Sequence, residues 1–268
     1  MKHLSPRLIA ALMAAPLTIA APTQAQSQSN DILSILARQS ETPARAEPTT
    51  INFSYTMNLD MISFEGDKIS EVQAVLRVDP TQPGGSRAQI ISTTDPENES
   101  FVEFLKEIED PEKTMAEQAD GFWCGVMDGD AEFNPDDFQV ISETETEAII
   151  KPKPGTLTKF LMQSDSEDEE MGKQERKMAK KLLKRIDGQM TLSKPQAELR
   201  NFQVKMTEPM SMMLVAKLKV MDVEQDCALA PNGFYHMSTM NMNVEGKALG
   251  KKFGQKMDIR ITELTPLP

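Results

Sequence analysis

Histidine, cysteine and aromatic residues are scarce in this chain of 268 residues: two histidines, two cysteines, one tryptophan and two tyrosines, with aromatics at 5 % of the total. His3 falls in a segment that reads as a leader, so a mature chain keeps His236 alone. One histidine excludes three-His zinc sites and two-His metal triads. Basic residues are also short, at 29 against 41 acidic ones, for a net charge of −12. Acidity of this size argues against binding nucleic acid through its phosphates. No P-loop, G-x-S-x-G, S-x-x-K, C-x-x-C or G-x-G-x-x-G pattern stands after the leader. A Ser-His-Asp triad has only His236 to use, beside Met237 on an expected strand and without a strand–turn–helix nucleophile context. The chain is expected not to be an enzyme, and no cofactor is implied. Methionine, by contrast, is abundant, at 19 residues.

Residues 1–25 read as a secretory signal. Lys2 and Arg7 give a positive start, Leu8 to Ala21 is an apolar stretch interrupted by Pro16 and Thr18, and Thr23-Gln24-Ala25 offers small residues for cleavage. The stretch is short for a bilayer span of ~20 residues, and an uncleaved N-terminal anchor is the alternative. No cysteine follows the expected cut, which argues against a lipid anchor. The style of the leader is that of bacterial export, to the periplasm or beyond it. Removing it leaves 27 basic against 41 acidic residues. Cys124 and Cys227 are the only cysteines. In an oxidising compartment an even pair implies a disulfide, the alternative being two buried thiols acting as small hydrophobes.

Beyond the leader, residues 26–49 read as a short helix near 30–38, capped by Asn30 or Asp31, and a linker ended by Pro43 and Pro48. Residues 50–268 read as a single α+β domain. Ile51, Phe53, Tyr55, Met57, Leu59 and Met61 alternate with polar residues, which predicts a half-buried strand. Val72 to Val78 and Arg87 to Thr94 supply two more, separated by Glu65-Gly66-Asp67 and Pro83-Gly84-Gly85, so an antiparallel meander follows. Residues 97–120 switch to helical spacing, with Phe101, Phe104, Leu105 and Ile108 on one face and Pro111 as a break. Phe138–Ile141 and Glu147–Lys151 predict a short hairpin. Residues 164–187 predict a helix with acids at its start, lysines and Arg185 at its end, and Gly188 as its C-cap. Its basic end offers a contact for anionic headgroups, but its acidic start and the overall charge favour a solvated helix. From Gly188 onward the pattern is all β, including one long strand from Met210 to Val220, a hairpin at Asn232-Gly233 and a turn at 246–250.

This order, namely leader, short helix, meander, helix, hairpin, helix and a run of antiparallel strands, resembles the lipoprotein-carrier family, the LolA/LolB-like proteins. The resemblance spans roughly residues 30–265 and rests on element order, the strand Phe53–Leu59 and the last three strands. It implies a strongly curved antiparallel sheet, a half-barrel, with helices covering its concave face. It further implies a carrier or sensor role for acyl chains or exported lipoproteins. The acidic-to-basic helix at 164–187 has no counterpart in that pattern.

Three sites are legible as candidates. An apolar cavity lined by Phe53, Tyr55, Met57, Leu59, Met212, Leu214, Met240 and Met242 would suit acyl chains, because thioethers re-pack around varied guests. The same residues would equally serve as the filling of a closed core. His236, Met240 and Met242 share parity on the expected strand, would face the same side and offer soft ligands for Cu(I). Asp128, Asp130, Asp136 and Asp137 offer hard oxygens for calcium, although their spacing fails an EF-hand and solvated turns are the simpler reading. The leading expectation is an exported, monomeric binding or carrier protein for an apolar ligand or lipidated protein, with no nucleic acid and at most transient membrane contact. The alternatives are a ligand-free structural or interaction domain and a periplasmic Cu(I) binder.

Overall fold

A computed structural model of the chain describes residues 31–40, 50–114, 117, 119, 122–124, 134–156, 173–194, 196–213 and 216–267. The expected leader, Asp128 to Asp130 and the acidic start of the 164–187 helix lie outside these residues. In chain order the elements are α1 (Ile32–Ser40), β1 (Phe53–Glu65), β2 (Lys68–Val78), β3 (Ala88–Thr93), α2 (Glu99–Ile108), β4 (Phe138–Glu143), β5 (Glu147–Pro152), α3 (Lys173–Leu183), β6 (Ile186–Ser193), β7 (Leu199–Met206), β8 (Met210–Met213), β9 (Ala216–Leu229), β10 (Tyr235–Ala248) and β11 (Lys251–Pro266). None of the described helices is long and apolar enough to cross a membrane. Cys124 and Cys227 are both disulfide-bonded.

The chain divides into two compact units, one drawn from Met1–Glu47 and Trp123–Phe202, the other from Pro48–Phe122 and Gln203–Pro268. In the first, α1 begins at Asp31, whose carboxylate accepts the Ser34 N–H at 3.0 Å. The Ile32 N–H donates to Glu143 at 2.8 Å, which ties the helix start to β4. Glu143 also holds Lys194 at 2.5 Å. Ile32, Ile35 and Leu36 pack with Phe138, Ala148, Ile150, Met190, Leu192 and Ala197 into one buried cluster. The expected hairpin is present as β4 and β5, and β5 pairs antiparallel with β6, Ile150 opposite Met190.

The helix expected to run to residue 187 ends at Leu183, and Gly188 does not cap it. Gly188, Met190 and Leu192 are buried at every second position, so the chain from Ile186 already follows a strand period on β5. Lys151 and Asp187 form a 2.6 Å ion pair across the same ladder.

In the second unit the strands run in the order β3-β2-β1-β11-β10-β9, with β8 added on β9, and every described ladder is antiparallel. The expected meander β1–β2–β3 is confirmed. The strongly curved half-barrel is not: the sheet is open and not strongly curled, and among the described residues β3 stands at its end. The expected long strand from Met210 to Val220 is also two strands. Met210 lies opposite Leu218 and Ser211 opposite Lys217, so the segment folds back as a hairpin. Alternation of apolar residues continues through the turn without glycine or proline, which hides the reversal from a pattern reading.

Two glycines mark close approach within this sheet. Gly254 on β11 faces Phe64 on β1, and Gly246 on β10 faces Phe253 on β11. A Cβ at Gly246 would meet the Phe253 ring and, at 2.8 Å, the Lys217 carbonyl. One at Gly254 would meet the Val244 carbonyl and the Phe64 ring. Each ring lies over the bare backbone that its glycine leaves.

Helix α2 is capped by Asn98, which accepts the N–H groups of Ser100 and Phe101. Asn98 also donates to Ser70 at 2.6 Å, and Ser100 donates to Ser63 at 3.2 Å; Ser63 and Ser70 are direct partners on β1 and β2. Phe101 is fully buried. Past the other end of α2, the buried Arg87 guanidinium donates to the carbonyls of Asp110 (2.6 Å) and Lys113 (3.2 Å), and Glu109 accepts the N–H groups of Arg87 and Ala88. Hydrogen bonds thus fix the helix at both ends, with one large side chain buried between them.

Candidate functional site

The register of the second unit assembles the candidate apolar face. Met57, Leu59 and Met61 on β1 lie opposite Leu76, Ala74 and Val72 on β2, and opposite Ile261, Ile259 and Met257 on β11. Met240 and Met242 on β10 continue two of these rows, opposite Ile259 and Met257, and Val223 on β9 stands opposite Met242. Met61, Met257 and Met242 therefore form a row of three thioethers across three adjacent strands. Sheet alternation puts all these side chains on one side. Each is buried, from Leu76 at 0 % exposure to Met257 at 8 %.

Six of the eight residues expected to line a cavity belong to this buried set or extend it: Phe53, Tyr55, Met57, Leu59, Met240 and Met242. Met212 lies on β8, but its side chain is outside the described ones, and Leu214 is outside the described residues altogether. Met61, which the sequence already puts on the β1 face, belongs to the same layer, as do Met257, Met221 and Val223; none of the four is among the expected lining residues. Their alternation is legible in each strand, but which strands are neighbours is not.

At one margin of the layer Tyr55, Phe122 and His236 form a ring cluster. Phe122 lies 5.1 Å from Tyr55, tilted, and 5.6 Å from His236, stacked. His236 Nδ1 is 2.8 Å from the Met237 carbonyl, which can only accept, so Nδ1 carries the proton. Burial lowers the His236 pKa below its ordinary value, and the bond to the Met237 carbonyl only partly opposes this. Burial likewise pushes the Tyr55 phenol up. Both side chains are held neutral, which suits an apolar wall.

The Cu(I) geometry expected from sequence needs unbroken alternation from His236 to Met242. The ladder with β9 shifts register between Met237 and Thr239, a bulge at Ser238 that lies between His236 and the two methionines. Asp136 and Asp137 form a 3₁₀ turn before β4, and among the described residues no cluster of three metal-ligating His, Cys, Asp or Glu side chains occurs.

The opposite face of the sheet is polar. Asp60, Asp258, Asn241 and Glu224 make one transverse row, and Lys256, Asn243 and Asp222 another. A groove of about 290 Å³ lies along β7, β9, β10 and β11, its polar wall made by Gln203, Lys205, Asp222, Glu224, Asn241, Asn243 and Lys256. The Asn243 Oδ1 atom is buried there without a hydrogen-bond partner among the described residues.

No protein-family model matches the chain, and comparison with curated proteins and with solved structures gives no significant match.

Proposed function

We propose that the protein is an exported, non-enzymatic binding or carrier protein of the lipoprotein-carrier kind, working in the periplasm or outside the cell as a monomer. Its guest is an acyl chain, a lipid or a lipidated protein, received against the methionine-rich face of the second unit beneath a helical cover. The observation that supports this reading is the Met61–Met257–Met242 row with its aliphatic neighbours. Unbranched thioethers provide nondirectional, adaptable contact for guests of varied shape. The neutral Tyr55–Phe122–His236 margin adds apolar wall without a charge to desolvate.

A second reading, a ligand-free structural or interaction domain with a closed core, draws support from the burial of the methionine and aliphatic rows of that face. Native mass spectrometry of protein purified gently from an exporting host separates the two. Co-purified lipid and a mass lacking residues 1–25 are expected. Bare protein that also fails to bind a fluorescent fatty acid would leave the closed core, and an intact N-terminus would remove the export assignment.

A further inference from the structure

One end of the second unit's sheet carries charge of the opposite sign to the rest of the chain. Lys217 on β9 lies directly opposite Lys247 on β10, and Lys247 lies directly opposite Lys252 on β11. Three like charges thus stand side by side across three adjacent strands, an arrangement that destabilises a sheet unless something outside it supplies countercharge. Lys251 precedes Lys252, and Lys68 begins β2 across the neighbouring turn, where the Gly66 N–H donates to the Lys252 carbonyl at 2.7 Å. Lys68, Lys217, Lys251 and Lys252 are exposed, and Lys247 is half-buried. None of the five forms an ion pair among the described residues. Among the described residues the carboxylates at this end include Glu65, opposite Lys68, Asp67 in the turn, Glu208 just before β8, and Glu245, which pairs with Lys256 at 3.7 Å.

Apolar side chains project from the same end. Leu249, at the β10–β11 turn, is 63 % exposed, and Ile69, beside Lys68, is 70 % exposed. Leu249 holds a positive φ of 52°, which presents a leucine at a turn position that favours glycine or asparagine. Further along the polar face the sign reverses, with Asp60, Asp258 and Glu224 in one row.

We propose that this lysine-rich end docks the protein, reversibly and in one orientation, on the anionic headgroups of a lipid surface. Every cation in the patch is lysine, a compact hydrated point charge suited to a diffuse field of phosphates. Arginine is the side chain that recognises discrete carboxylates of a protein partner by a bidentate fork. Exposed aliphatic tips among the lysines suit the headgroup–acyl boundary. The acidic row on the same sheet repels the surface and turns the remaining polar face away from it. The proposal does not depend on any guest.

The test is sedimentation of the full chain with vesicles of phosphatidylcholine containing about one-third phosphatidylglycerol, at low ionic strength. Binding is expected there, with none to pure phosphatidylcholine, and release by about 0.5 M salt. The triple variant K217Q/K247Q/K252Q should partition about a hundredfold more weakly, each lysine contributing about a factor of five. The charge-preserving K217R/K247R/K252R should bind as the parent does, and Leu249→Ser should lose only a few-fold. A control variant on α3, K177Q/K180Q/K181Q, should bind unchanged. Circular dichroism melts keep folding in view: the glutamine triple should melt at the same temperature or higher, because it removes like-charge repulsion. No binding to the anionic vesicles, or equal losses in the β-strand and α3 variants, would overturn the proposal. So would tight binding to poly-glutamate without binding to vesicles, which would assign the patch to an acidic polypeptide.

Discussion

The two units bury different apolar chemistry. Among the described residues the first buries one methionine, Met190, in a cluster of isoleucine, leucine, alanine and phenylalanine. The second buries Met57, Met61, Met206, Met210, Met221, Met240, Met242 and Met257. If methionine were only a compositional habit of this chain, both cores would share it. Its concentration in the second unit marks a layer where adaptability serves better than fixed shape, whereas the stiffer side chains of the first unit specify one packing.

The comparison can be broken most severely in the stiff layer. Phe138→Ala removes a ring that is 2 % exposed, and denaturant melts should show a loss of about 3–5 kcal/mol. In the soft layer the volume-conserving triple M61L/M242L/M257L should cost under about 1.5 kcal/mol per site. Its larger consequence should appear in binding, as a narrower set of apolar molecules retained in native mass spectra. An unchanged set would remove the argument from adaptability. The helix caps come next, because each unit has one. Asn98→Ala and Asp31→Ala should each cost about 1 kcal/mol. The Asn98 change should cost the more, since Asn98 also bonds Ser70. Smallest is the pH effect of His236. Its pKa in the folded chain lies below the ordinary value near 6.5, so the unfolded chain binds the proton first as pH falls. Stability should be complete above about pH 6.5 and decline below it, levelling off once the folded-state pKa is passed. His236→Gln should flatten that part of the profile in thermal melts.

Much of the strand content was legible because each long strand carries its own period. Met57, Leu59 and Met61 announce their shared face without help from any partner. Sequence pattern and fold part where a period runs on while the backbone changes course. Met210 to Val220 keeps its alternation through a reversal, and Gly188 resembles a helix stop although it fills a buried strand position. The bulge at Ser238 leaves no mark in composition, yet it shifts the pairing of β10 on β9 between Met237 and Thr239. For the candidate site the sequence supplies the ingredients of each strand but not their neighbours. The Met61–Met257–Met242 row and the Lys217–Lys247–Lys252 row join segments far apart in the chain, and only the registers of β1, β9, β10 and β11 bring them together.

The paired glycines Gly246 and Gly254 limit how this sheet can change over generations. A methyl group at either position strikes both an aromatic ring and a neighbouring strand's carbonyl oxygen, so trimming Phe253 or Phe64 alone opens no room. Drift at these positions is blocked unless the registers of β10 and β11 move with it. Those registers also align the methionine row and the lysine row. Substitutions can therefore accumulate in the side chains of either row far more readily than in the two glycines that keep the rows in line.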